Sequence, residues 1–167
     1  MGAWNVRTLL DHANTSRPER RTALVARELQ RYRVDIAALS ETHFADKGSL
    51  KEEGGGFTFF WKGKRQAEDR IYGVGFAIRS TLVKNLPELP VGISERLMKL
   101  RIPLTKNRNL IIVSVYAPTL SSPDEAKEQF YQLLDETIKT TPKADKLVIL
   151  GISTREWAGT TTAGRES

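Results

Sequence analysis

The sequence predicts an α/β domain, and three observations carry that expectation. Apolar runs of strand length occur at Asp35-Ile36-Ala37-Ala38-Leu39, Leu110 to Tyr116 and Leu147 to Gly151. Two segments with helical spacing each open on a Ser-Xaa-Xaa-Glu pattern with proline in the first turn, at Ser16 and at Ser122. Shorter runs with strand character, bounded by glycine-rich or charged segments, lie between them.

Trp4-Asn5-Val6 suits the end of a first strand, with a polar connection from Leu9 to Ser16. Ser16-Arg17-Pro18-Glu19 then starts a helix whose Val25, Leu29 and Tyr32 share one face, while Arg20, Arg21, Arg27 and Arg31 lie on the other. That basic face suits solvent or nucleic acid. The Asp35–Leu39 strand follows. Gly54-Gly55-Gly56 marks a loop before the aromatic strand Phe57 to Trp61, and Lys62 to Arg70 is expected to be an exposed charged loop. Gly73 to Ile78 is a strand whose glycines permit close backbone approach.

Leu97 to Leu104 alternates apolar residues with Lys99 and Arg101, as a half-buried strand does. A turn at Asn107-Arg108-Asn109 leads into the strand Leu110–Tyr116. The second helix starts at Ser122-Pro123-Asp124-Glu125, presents Ala126, Phe130, Leu133, Leu134, Thr137 and Ile138 to the core, and ends at Pro142. Leu147 to Gly151 re-enters the sheet. Residues 152–167 have neither helical nor strand period and are rich in Gly, Thr and Ser, so they are expected to form a divergent, disordered tail to a domain spanning residues 1–151.

A chain of 167 residues fits one domain. Its formal charge of +6 favours a polyanionic partner, because lysine and arginine release condensed counterions when they meet phosphates. Without cysteine there is no disulfide framework and no thiolate metal site. The N-terminal residues Met1 to Arg7 lack a signal peptide's apolar core, and no stretch approaches the ~20 apolar residues of a membrane span. An intracellular protein, nuclear or cytoplasmic, with no membrane partner is expected.

Glu41 arrives at the end of the Asp35–Leu39 strand, in Ser40-Glu41-Thr42-His43. Ligands of open α/β sheets collect beyond the carboxyl ends of strands, where a carboxylate either pairs with an arginine at the rim or holds a hard cation against phosphate. His43 suits a second ligand or a surface position. Tyr116 leaves its strand where Pro118 stops the ladder; its phenol either meets solvent or donates to a phosphate oxygen. Asn5 caps a turn or orients a ligand.

In order along the chain, Trp4-Asn5-Val6-Arg7, Ser40-Glu41-Thr42, Gly73 to Ile78, Val113 to Pro118 and Leu147 to Gly151 resemble the endonuclease/exonuclease/phosphatase superfamily. More closely, they resemble the apurinic-type endonuclease domain of LINE-like retrotransposons. The resemblance covers Trp4 to Gly151. It implies a four-layer α/β/β/α sandwich, a Mg2+ cofactor, DNA as substrate and phosphodiester cleavage. It also implies that Asn5 helps position the metal site and attacking water, that Glu41 ligates the metal, and that Tyr116 supports the phosphate.

One departure is specific. The superfamily pattern continues from the last strand as Gly-Asp-Phe-Asn, whereas this sequence has Gly151-Ile152-Ser153-Thr154. Ile152 neither accepts a proton nor binds magnesium, and Thr154 replaces a carboxamide. The later Asp-His motif has no counterpart; His12 and His43 come too early. The sandwich is therefore expected to be incomplete, with an uncovered sheet face that favours self-association or a protein partner. A frameshift or misjoined exon gives such a break. Two functions compete: a DNA endonuclease with impaired catalysis, and a non-catalytic remnant binding nucleic acid or protein, with Lys62, Lys64, Arg65 and Arg70 available to phosphates. A phosphatase acting on small molecules is a third.

Overall fold

The computed structural model describes residues 1–10, 20–65 and 73–151. β1 (Gly2–Asn5) is followed by α1 (Arg21–Arg31), β2 (Ile36–Ser40), β3 (Lys47–Glu52), β4 (Phe57–Lys62), β5 (Val74–Arg79) and the short α2 (Ser80–Val83). β6 (Val91–Ser94), β7 (Leu97–Thr105), β8 (Arg108–Val115), α3 (Asp124–Thr140) and β9 (Lys146–Gly151) complete the order. The strands form two sheets. Sheet A runs β1-β2-β5-β4-β3 and sheet B runs β6-β7-β8-β9.

Side-chain alternation then sets the layers. In β4, Phe57 and Phe59 join Ala37, Leu39 and Ala77 beneath Val25, Ala26 and Leu29 of α1. On the other face of sheet A, Phe60, Ile36, Ala38, Val74 and Phe76 pack against Met98, Leu100 and Ile112 of sheet B. The far face of sheet B presents Leu97, Ile111 and Val113 to Phe130 of α3. The order is α1, sheet A, sheet B, α3: the four layers expected. β2 is buried along its whole length because it is covered on both faces, which explains why its sequence is continuously small and apolar.

The structure corrects several sequence expectations. Tyr32, placed on the apolar face of the first helix, is exposed because it is the C-cap residue beyond α1, and Ile138, placed in the core-facing stripe, is exposed because it lies off the face of α3 that buries Phe130 and Thr137. α3 starts at Asp124 with Pro123 at the N-cap position, and the Ser122 hydroxyl bonds Thr119 instead of capping the helix. α1 starts at Arg21, preceded by an extended Arg20 without a side-chain cap; the Ser16–Glu19 box lies outside the described residues. Lys62 belongs to β4, not to a loop, and the β7–β8 turn sits at Lys106-Asn107, leaving Arg108 and Asn109 in β8. Leu9, placed in a polar connection, is buried in the core beneath α1.

The expected bare sheet face is narrower than the sequence suggested. Both faces of β2, β4 and β5 are covered, by α1 and by sheet B. What stays partly exposed is β9, at one edge of sheet B, and Trp4 on β1 at one edge of sheet A. The expected tail at 152–167 and most of the 62–70 loop lie outside the described residues. Among the described residues, no helix is long and apolar enough to cross a membrane.

Candidate functional site

β1 and β2 are parallel neighbours, and their register aligns Asn5 with Ser40 at the carboxyl ends of both strands. The Val6 N–H donates to Ser40 O at 3.1 Å and the Leu9 N–H to Thr42 O at 2.9 Å, so the two chains leave the sheet together. At that point the backbone turns sharply. Glu41 and His43 hold φ of 56° and 59°, left-handed conformations that cost a non-glycine residue about 1 kcal/mol or more. Gly73 (φ 132°) sits opposite, where a Cβ would collide with Thr42.

The turn aims Glu41 at two donors from different sheets. Asn5 Nδ2 donates to Glu41 Oε1 at 2.9 Å, and the Tyr116 hydroxyl donates to the same oxygen at 3.0 Å. The Arg7 N–H donates to Asn5 Oδ1 at 2.9 Å, and since a backbone amide only donates, that bond fixes which end of the carboxamide faces Glu41. Among the described residues Glu41 Oε2 accepts no hydrogen bond. The carboxylate is thus held by one oxygen and presents the other.

Tyr116 is itself gripped. Its N–H donates to Arg96 O at 2.9 Å, Arg96 Nη1 donates to the Tyr116 carbonyl at 3.1 Å, and the guanidinium lies 5.3 Å from the centre of the Tyr116 ring. Arg96 is buried and escaped the sequence reading. A signal for it existed: stepping back from Leu100 and Met98 by the strand's two-residue period lands on Arg96, in the row that faces sheet A.

The three residues named from the sequence therefore meet at one oxygen atom. His43 does not join them; its Nε2 is buried without a partner among the described residues, as are Ser40 Oγ and Thr42 Oγ1. Lys62, Lys64 and Arg65 lie at or beyond the end of β4 that is registered with Ser40 through β5, while Arg70 is outside the described residues. No group of three or more His, Cys, Asp or Glu side chains suited to a metal occurs among the described residues. A hard cation that keeps most of its waters needs only one or two carboxylates, and the presented oxygen of Glu41 fits that modest demand.

Comparison with known proteins gives a consistent picture. The family model described as "Endonuclease/Exonuclease/phosphatase family" matches residues 2–151. Craniofacial development protein 2 of Bos taurus is 27% identical over 154 residues, covering 90% of this chain and 23% of that protein. The Tragulus javanicus protein of the same name is 27% identical over 154 residues, covering 90% and 24%. The chain thus spans about a quarter of the length of these relatives. Among solved structures, humanized D. rerio TDP2 carrying 14 mutations superposes with a TM-score of 0.52 at 15% identity, over 89% of this chain and 63% of that one. AP endonuclease LMAP from Leishmania major gives 0.50 at 15% identity, over 88% and 53%. At these identities the likeness is one of fold.

Proposed function

This chain belongs to the endonuclease/exonuclease/phosphatase family, and from that premise we propose that it carries the metal-holding half of a DNA phosphodiesterase site of the retrotransposon endonuclease type, with catalysis impaired in this sequence. The observation that supports the reading is the convergence of Asn5 and Tyr116 on one oxygen of Glu41 from two different sheets. A carboxylate in a structural ion pair needs a cation beside it. This one instead meets two neutral donors, which orient it while leaving its charge for a ligand.

In this reading Glu41 would hold Mg2+, which when bound would supply charge neutralisation at a phosphate and lower the pKa of water. Asn5 and Tyr116 keep the carboxylate from rotating, and the Arg7 N–H keeps the Asn5 amide from flipping. The impairment rests on Ile152 and Thr154, which stand where the family pattern has an aspartate and an asparagine. A sec-butyl side chain neither takes a proton nor orients a water. Losing members of a catalytic unit usually costs several orders of magnitude.

Two measurements test the two parts. Mg2+ is expected to raise the melting temperature of the wild-type protein and not that of Glu41→Gln; equal responses would remove Glu41 as the ligand. Nicking of supercoiled plasmid in Mg2+ is expected to match a Glu41→Ala control, and a clear excess over that control would show that catalysis survives. A second reading, nucleic-acid binding without cleavage, is favoured by the basic residues at the same end of the sandwich.

A further inference from the structure

The ladder of sheet A extends the site sideways. Asn5 aligns with Ser40, Ser40 with Val74, Val74 with Lys62 and Lys62 with Lys47, one row crossing all five strands. Directly aligned residues project from the same face of a sheet. Val74 packs in the core between the sheets, so the whole row faces sheet B. Lys62 sits two strands from Ser40, about 10 Å at the usual strand spacing.

Two features of this row lack a structural reason. Lys47 and Lys62 are direct cross-strand partners, and like charges in that position repel. Among the described residues neither makes an ion pair with a carboxylate. Lys62 is also given room: it faces Gly92 of β6, where a Cβ would lie 2.7–3.0 Å from Lys62 Cβ, Cγ and Cδ. The missing side chain lets the lysine stem pass over β6, from a residue placed by its register at the same end of the sandwich as Ser40.

We propose that Lys62 and Lys47 form a phosphate-binding pair that takes the DNA backbone about three nucleotide steps from Glu41, at about 3.4 Å of rise per step. An anion between the two ammonium groups converts their repulsion into attraction to a shared partner. The row gives that backbone a direction, along the open ends of the β-strands from β3 towards β1. The inference rests on the phosphodiester reading of the Glu41 site, but it concerns binding alone, so it is tested with EDTA present while the Mg2+ melting comparison tests Glu41 separately.

The experiment measures binding of the full chain to a labelled DNA duplex over a range of salt concentrations. Lys62→Gln and Lys47→Gln are each expected to lower the slope of log affinity against log salt by about 0.9, the contribution of one phosphate contact, whatever the duplex sequence. Lys62→Arg should restore the slope. Lys139→Gln, on α3 and paired with Asp135, should leave it unchanged. Gly92→Ala keeps the net charge but displaces the Lys62 stem, so it should weaken binding as Lys62→Gln does. Unchanged slopes in both glutamine variants, or no salt-dependent binding by the wild type, would overturn the assignment.

Discussion

Arg96 is the one charged side chain buried among the described residues, 9% exposed, and its guanidinium meets both the carbonyl and the ring of Tyr116. A guanidinium taken from water needs hydrogen-bonded compensation, and here the Tyr116 carbonyl and ring face provide part of it. Its role is positional, since it holds the residue that holds Glu41. Arg96→Met is expected to destabilise the protein by about 1–3 kcal/mol, because a buried carbonyl loses its donor. Urea denaturation reads that cost. The same variant should also shrink the Mg2+-induced rise in melting temperature by letting the Tyr116 hydroxyl drift from Glu41; a lowered midpoint with an intact Mg2+ response would make Arg96 merely structural. Lysine is a poor replacement, because a point ammonium cannot both stack and donate in a plane. At this scale the sequence was informative about residue types and silent about atoms. Asn5, Glu41 and Tyr116 stand out because each ends a strand, where a polar side chain follows an apolar run. That one oxygen of Glu41 takes both donors depends on a backbone angle, φ 56°, which no neighbouring residue type announces.

The helices and strands show where local pattern suffices. β2, β7 and β8 were readable because burial on one or both faces writes itself into apolar spacing. β3 was not: Lys47-Gly48-Ser49-Leu50-Lys51-Glu52 carries one large apolar residue, and it becomes a strand by pairing with the aromatic β4. β6 is four residues long and contains the glycine that accommodates Lys62, so its sequence serves a neighbour more than its own propensity. α3 illustrates how few contacts dock an element. Its start differs from the expected capping box, and of its apolar stripe only Phe130 is deeply buried, at 4% exposure, against Leu97, Ile111 and Val113. Phe130→Ala should therefore cost about 3–5 kcal/mol in a urea titration, the usual price of emptying an aromatic core site. A loss below 1 kcal/mol would mean that Leu133 and Leu134 carry the docking instead.

Across the whole molecule the order of layers was implied by the motif series, while the tightness of sheet A was not. The sequence led to a sheet stripped of cover; the structure covers both faces of its central strands with residues drawn from α1 and sheet B. The difference lies in non-local pairing, which a one-dimensional pattern does not encode. If these layers hold in solution, small-angle scattering should give a radius of gyration of about 15 Å, as for a folded chain of this length, and heating should show one transition. A radius near 43 Å, the unfolded expectation, would show that the three core clusters do not sustain the sandwich. The two hydrogen bonds on Glu41 also have a kinetic meaning. They join residues 36 and 75 positions apart, one within sheet A and one between the sheets. Contacts of such separation are reached only after loop closure and docking have been paid for in chain entropy. The hydrogen-bonded arrangement around Glu41 is consequently among the last features a folding chain acquires, completed only when sheet B has docked on sheet A.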